Sequence, residues 1–209
     1  MSDLWVDHVI YAVDDLDAAG ARFRAEFGLG SVPGGRHPGW GTANRIVPFG
    51  HEYVELVTIV DRQEAAASEF GRAVTQALAG GHRLLGWAVA TDDIHGIATR
   101  LSLDVTRGSR TRPDGSTLSW QLAGAAPALS TGALPFFLQW DGPPELHPGA
   151  AVVEHGVRAD GIAWIEISGD EQALRAWLGD HDLPVRVIEG PPSMSAAGIS
   201  AGEREIVLR

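Results

Sequence analysis

The feature that most constrains the fold is an internal repeat. VIYAVDDLDAAGARF at 9–23 is echoed by GWAVATDDIHGIATRL at 86–101, so that Asp14 and Asp15 align with Asp92 and Asp93 at an offset of 78 residues. Each copy reads as a short apolar strand, an aspartate pair and a helix. Aspartate at that junction accepts hydrogen bonds from the orphan amides of the first helical turn and complements the helix dipole. In the first helix Leu16, Ala19, Phe23 and Phe27 fall at near-helical spacing, and Gly28 and Gly30 stop it. A third echo, IAWIEISGDEQALRAWLGDHDLPVRVIEG at 162–190, sets Gly169-Asp170 before an apolar stripe of Leu174, Trp177 and Leu178.

After each helix the pattern turns to strands. The first copy predicts strands over 41–48 and 51–60 behind a glycine-rich loop at 33–41. The second predicts 104–110, 117–123 and 135–141, and the third only 184–188 and 203–209. The chain is therefore expected to be an α+β protein of two βαβββ units, 1–60 and 84–141, within a domain spanning 1–145. A partial third βαββ unit over 150–209 is expected to pack on that core or on another subunit, and a homodimer is admitted. Between the units, RQEAAASEFGRAVTQAL carries a helical run. Segments near 124–134 and 142–150 are rich in Ala, Gly and Pro and read as loops.

Composition excludes several functions. Sixteen basic against twenty-seven acidic residues give a net charge of -11, which argues against nucleic acid or an anionic membrane as partner and leaves a small-molecule ligand. With no cysteine there are no disulfides, thiolate metal sites or cysteine nucleophiles. The start, MSDLWVDHVI, lacks the basic region and long apolar run of a signal peptide, and a cytoplasmic location is expected. No hydrolase, P-loop or dinucleotide motif is present.

DHVIYAVDDLDAA (7–19), GGRHPGWGTANRIVPFGHEYVELV (34–57), GWAVATDD (86–93), GSRTRPDGSTLSWQL (108–122), LPFFLQWD (134–141) and HPG (147–149) together resemble the vicinal oxygen chelate superfamily. Within it the chain is similar to the glyoxalase-like branch of bacterial proteins. The resemblance implies paired units curled into a half-open cup with a divalent metal on its floor, held by the first and last strands of each unit. Carried over, the ligand positions are His8 and Glu55 in the first unit, and Gly86 and Gln139 in the second. Glycine supplies no ligand and glutamine a weak one, so His8, Glu55 and Gln139 make a poor Zn²⁺ or Fe²⁺ site unless His37, His82 or His147 folds over the cup.

Glu55 stands amid Val54, Leu56 and Val57, where a buried unpaired carboxylate is costly. Alternation puts it on the face of His51, Tyr53 and Val57, and puts His8 with Val6 and Ile10. Without a metal, burial would raise the Glu55 pKa into the range of a general base. Candidate substrate contacts are His37 and Trp40 on the glycine loop, Thr42 and Asn44 on one strand face, Tyr53, Trp120 and, as an oxyanion donor in place of a metal, Gln139. Arg110 or Arg112 of the hairpin is a candidate clamp for a carboxylate or phosphate. Trp140 lines the cup or fills the core. Two functions follow: an enzyme of glyoxalase, lyase or dioxygenase type, abstracting a proton next to a carbonyl with Glu55 as base and His8 as partner; or a non-catalytic binder that sequesters an antibiotic-like molecule.

Overall fold

The computed structural model describes residues 3–81 and 83–209. His82, one of the three histidines considered above as a further ligand, lies outside the described residues. The first unit runs β1 (Leu4–Ala12), α1 (Leu16–Phe27), β2 (Val32–His37), β3 (Thr42–Pro48) and β4 (Tyr53–Ile59). Helices α2 (Arg62–Ala67) and α3 (Glu69–Gly80) lead to the second: β5 (Leu84–Thr91), α4 (Ile94–Leu101), β6 (Val105–Thr111), β7 (Thr117–Ala123), α5 (Ala125–Thr131) and β8 (Phe136–Asp141). Two 3-10 turns, Pro144–Leu146 and Pro148–Ala150, precede β9 (Gly161–Ser168), α6 (Glu171–Leu178), β10 (Val185–Ile188), β11 (Ser193–Ala201) and β12 (Arg204–Leu208).

The repeated aspartates do what their chemistry predicts. Asp15 accepts from Ala18 N at 2.7 Å to cap α1, and Asp93 accepts from Gly96 N at 2.9 Å to cap α4. Asp170 caps α6 in the same way, from Gln172 N at 2.8 Å. Helix α1 ends where Gly28 turns into the left-handed region at φ 74°, its N–H returning to Arg24 O.

In both units the first strand pairs in parallel with the last, through His8↔Tyr53 and through Ala88↔Phe136. The units join where β1 and β5 run antiparallel, and again where Arg36 of β2 meets Thr111 of β6. Pairing at the second seam closes the sheet into an eight-stranded barrel, β1-β4-β3-β2-β6-β7-β8-β5, in place of the expected half-open cup. The strand that makes this seam, β2, occupies most of the stretch expected to be a glycine-rich loop. Its glycines admit close approach: a side chain at Gly35 would run into the Thr111 carbonyl across the seam. The segment at 124–134, also expected to be a loop, contains α5.

The C-terminal third differs from expectation in two ways. It has the element order βαβββ, because MSAAGISA forms β11, a strand too poor in β-branched residues to announce itself. Its pairing is not that of the barrel units, since β9 lies between β10 and β11 in a sheet ordered β10-β9-β11-β12. One face is built around Trp164, whose indole occupies the space a side chain on Gly198 would fill and carries the Arg186 guanidinium 3.7 Å above the ring. The other face meets the barrel. Val6, Val9 and Tyr11 of β1, Trp87 and Val89 of β5, and Phe137 share one apolar cluster with Ile165, Ile167, Ala197, Ile199, Leu174 and Leu178. Burial of each large side chain contributes about 1.5–3 kcal/mol. The seam between the two barrel units is thus roofed on its outer side, and the inner side is left to form a lumen.

Candidate active site in the barrel lumen

The inward residues of β1 are set by a bulge. Val6 pairs with Val89 and His8 with Ala88, so Asp7 is an extra residue in the ladder. A bulge re-aims side chains. Simple alternation would put Val6, His8 and Ile10 on one face; instead Val6 joins the outer cluster, while His8 faces the lumen and Ile10 packs in the inner cluster. The bulge also lets two sequence neighbours meet: Asp7 Oδ1 lies 2.5 Å from His8 Nδ1.

Asp7 is wholly buried and well satisfied. Trp140 Nε1 donates to its Oδ2 at 2.7 Å, and His147 Nε2 reaches the same oxygen at 3.0 Å. His147 Nδ1 accepts from Gly149 N, which places its proton on Nε2. Burial alone pushes the Asp7 pKa up, but the hydrogen bonds and charge from His147 and His8 outweigh it and hold the carboxyl well below the usual range. An ionised carboxylate only accepts, so His8 carries its proton on Nδ1 and presents Nε2 to the lumen. The ring is fixed from the side by Tyr53, stacked at 4.5 Å and 19°.

Opposite stands Glu55, 5% exposed, with Oε2 3.8 Å from His8 Nε2. Asn44 Nδ2 donates to its Oε1 at 2.5 Å, and His37 Nε2 is 3.6 Å from the same oxygen. His37 is turned by Thr42, whose Oγ1 is 2.9 Å from Nδ1. Burial drives the His37 pKa down to about 4, with Arg110 and His8 adding to the fall and Glu55 opposing it, so the ring is neutral at pH 7. Burial likewise raises the Tyr53 pKa well above that of a free phenol, and Tyr53 keeps its proton. Arg110, 4% exposed, places Nη1 3.4 Å from Asn44 Oδ1. Its Nε is buried with no hydrogen-bond partner among the described residues. The Gly34 position explains how Arg110 and Asn44 fit together, since a β-carbon there would collide with both.

The second unit contributes an apolar wall, with Trp120, Phe136, Leu138 and Trp140 pointing inward and Trp40, Phe70 and Leu129 completing the roof. The enclosed cavity is about 60 Å³. Of the residues expected at the site, His8, His37, Trp40, Asn44, Tyr53, Glu55, Arg110 and Trp120 line it. Thr42 stands behind His37. Arg112 lies outside, its guanidinium bonded to the Leu146 carbonyl. Gln139 also faces away: its Oε1 accepts from Ile94 N at 3.0 Å, at the start of α4. Equating Gln139 with Glu55 is one residue out of phase: FFLQW laid on YVELV sets Leu138 against Glu55, and the inward residues of β8 are 136, 138 and 140. Sequence reasoning missed Asp7, which alternation hides, and Phe70, which sits on the connecting helix.

The implied divalent metal can be tested against these side chains. Gly86 has no side chain and Gln139 faces away, and apart from the cationic Arg110 of β6 the second unit presents aromatic and aliphatic side chains to the lumen. Among the described residues no group of three His, Asp or Glu is arranged to hold a metal ion. The Arg110 guanidinium, a fixed cation, already occupies the polar floor. This donor set does not fit the metal the resemblance implied, and no chemistry is routed through one.

A model of the glyoxalase-like domain matches residues 6–181. The chain belongs to the glyoxalase-like domain family. That places it in the vicinal oxygen chelate superfamily, as the repeated motifs indicated. This glyoxalase-like chain is similar over nearly its whole length to a hypothetical protein from Staphylococcus aureus, at 17% identity and a TM-score of 0.75, covering 96% of this chain and 92% of that one. It is also similar to methylmalonyl-CoA epimerase from Mycobacterium tuberculosis (19% identity, TM-score 0.45, 70% and 91% covered). The Streptomyces coelicolor epimerase in complex with 2-nitronate-propionyl-CoA gives 19% identity and a TM-score of 0.46, with 66% and 97% covered. No curated protein sequence matches significantly. No helix among the described residues is long and apolar enough to cross a membrane.

Proposed function

We propose that the lumen is the active site of an enzyme that moves a proton next to the carbonyl of a small metabolite, with Glu55 as base and His8 as its partner. The observation that carries this reading is the facing pair, Glu55 Oε2 and His8 Nε2, 3.8 Å apart in a buried cavity. Asp7 fixes the His8 proton on Nδ1 and stabilises positive charge on the ring, so Nε2 is free to take or give a proton as Glu55 does the reverse. The neutral His37 supplies an uncharged N–H to the developing enolate oxygen when its Nδ1 accepts from the Thr42 hydroxyl. The apolar wall keeps water from quenching the enolate.

The cavity volume supports a small substrate. About 60 Å³ of water-accessible space holds roughly four to six waters, hence a ligand of similar heavy-atom count. A volume of this size favours a small metabolite over the antibiotic-sized molecule of the competing reading.

Solvent exchange tests the proposal without a known product. Small ketones, aldehydes and oxo acids are incubated in D₂O, and loss of the C–H signal next to the carbonyl is followed by proton NMR. The wild type is expected to accelerate exchange for a subset of them, and Glu55→Gln to lower that rate by about 10²–10⁴-fold. Binding without exchange would make the lumen a binder and refute the enzyme reading. Equal rates in wild type and Glu55→Gln would remove Glu55 from it.

A further inference from the structure

The unpartnered Arg110 Nε is a feature the proton-transfer reading does not use. A guanidinium is always charged, and buried N–H donors in folded proteins are almost always matched. Here the residue is 4% exposed, its Nη1 leans on Asn44 at a long 3.4 Å, and its Nε meets no acceptor among the described residues. The edge formed by Nε and Nη2 is one that grips a carboxylate with two parallel hydrogen bonds. The neighbouring backbone is arranged to leave this group in place. Gly34 has no side chain where one would strike Asn44 and the Arg110 guanidinium, and Gly35, at φ 142°, passes against the Arg110 stem.

We propose that the lumen takes a small monocarboxylate whose head is held by Arg110. The charge inventory selects the class. Arg110 is the fixed cation of the lining, and Glu55 is already an acid on the same floor. A phosphate dianion would bring two negative charges beside Glu55 to one cation, whereas a monocarboxylate brings one. The volume sets the size, since about 60 Å³ admits roughly four to six water-sized groups. Pyruvate has this many heavy atoms, whereas a whole nucleotide or thioester cofactor exceeds that volume. The apolar part of the acid lies against Trp120 and Phe136, and the carbon next to its carbonyl lies toward Glu55 and His8.

This inference takes the lumen as the ligand site, as the proton-transfer reading does, but it concerns binding and can fail separately. Pyruvate is titrated into the protein and followed by calorimetry and by tryptophan fluorescence, which Trp40, Trp120 and Trp140 make sensitive to the lumen. Pyruvamide, nearly the same shape without the charge, is the control. Wild type and Glu55→Gln are expected to bind pyruvate at least tenfold more tightly than pyruvamide. Arg110→Lys should weaken pyruvate at least tenfold, and Arg110→Gln should erase the preference. Equal affinity of wild type for acid and amide, or no saturable pyruvate binding, overturns the proposal even if no Arg110 variant folds. So does a folded Arg110→Gln that binds pyruvate as the wild type does. If the acid binds through Arg110 but no substrate exchanges its proton, the proton-transfer reading falls and this one stands. If neutral carbonyl compounds exchange with no dependence on Arg110, the reverse holds.

Discussion

Between pH 7.5 and 4.5, acidification should destabilise this protein chiefly through His37. Its ring is 3% exposed, and burial lowers its pKa from 6.5 to about 4. The unfolded chain therefore binds a proton between pH 6.5 and 4 that the folded protein refuses. Where the unfolded state binds more protons, stability rises with pH, so it is lost as pH falls through this window. At about 1.4 kcal/mol per pH unit, the cost of going from pH 7.5 to 4.5 is about 2–3 kcal/mol from His37 alone. His155 and His181, lowered by burial, push in the same direction, and Glu52, raised by burial, pushes against them. The comparison must therefore be a difference. Urea unfolding at pH 7.5 and 4.5 is measured for wild type and for His37→Gln, whose amide can still meet Thr42 and Asn44. The wild type should lose about 2–3 kcal/mol more than the variant over this interval. Equal losses, within about 0.5 kcal/mol, would mean that His37 is not held neutral in the lumen.

Three further outcomes follow from the same structure. Asp7→Asn should slow proton exchange and cost about 1–3 kcal/mol of stability, because His8, His147 and Trp140 all converge on that carboxylate; thermal melts and the exchange assay measure the two effects. Gly34→Ala should destabilise by about 1–3 kcal/mol and weaken carboxylate binding, since its β-carbon displaces Asn44 and Arg110; unchanged urea midpoint and affinity would contradict the packing described. A chain ending at Gly149 should aggregate on expression, because it bares Val6, Val9, Trp87 and Val89. A soluble, cooperatively melting truncate would show that the C-terminal sheet is not needed to cover the seam.

What could be read from sequence was what repeats or obeys a local rule. The paired aspartates marked the helix starts because capping is a contact over three residues. Glu55 was found on the inner face because β4 is regular, and Tyr53 and Glu55 follow strict alternation into the lumen. The errors came from non-local geometry. One inserted residue at Asp7 reverses the faces of β1, and nothing in LWVDHVI reveals it. Gln139 was misplaced by a single residue of register, enough to send it to the outside. Strand β2 pairs with β3 in its own unit and meets β6 of the other at Arg36 and Thr111, but the glycines that permit these close approaches read locally as a loop. The pairing order of the C-terminal sheet, β10-β9-β11-β12, is a matter of non-local strand contacts, which no local pattern records.

In the proposed reaction the reacting carbon sits between Glu55 and His8. The most direct measurement is a crystal structure of Glu55→Gln with the oxo acid that the wild type exchanges fastest, since the variant traps the unreacted complex. Density is expected in the lumen, with the carboxylate on the Arg110 Nε edge. The carbon next to the carbonyl should lie about 3–3.5 Å from the position 55 side chain and from His8 Nε2. An acid bound in an outer groove with the lumen unchanged, or one in the lumen with its carbonyl end turned away from His8, would contradict it.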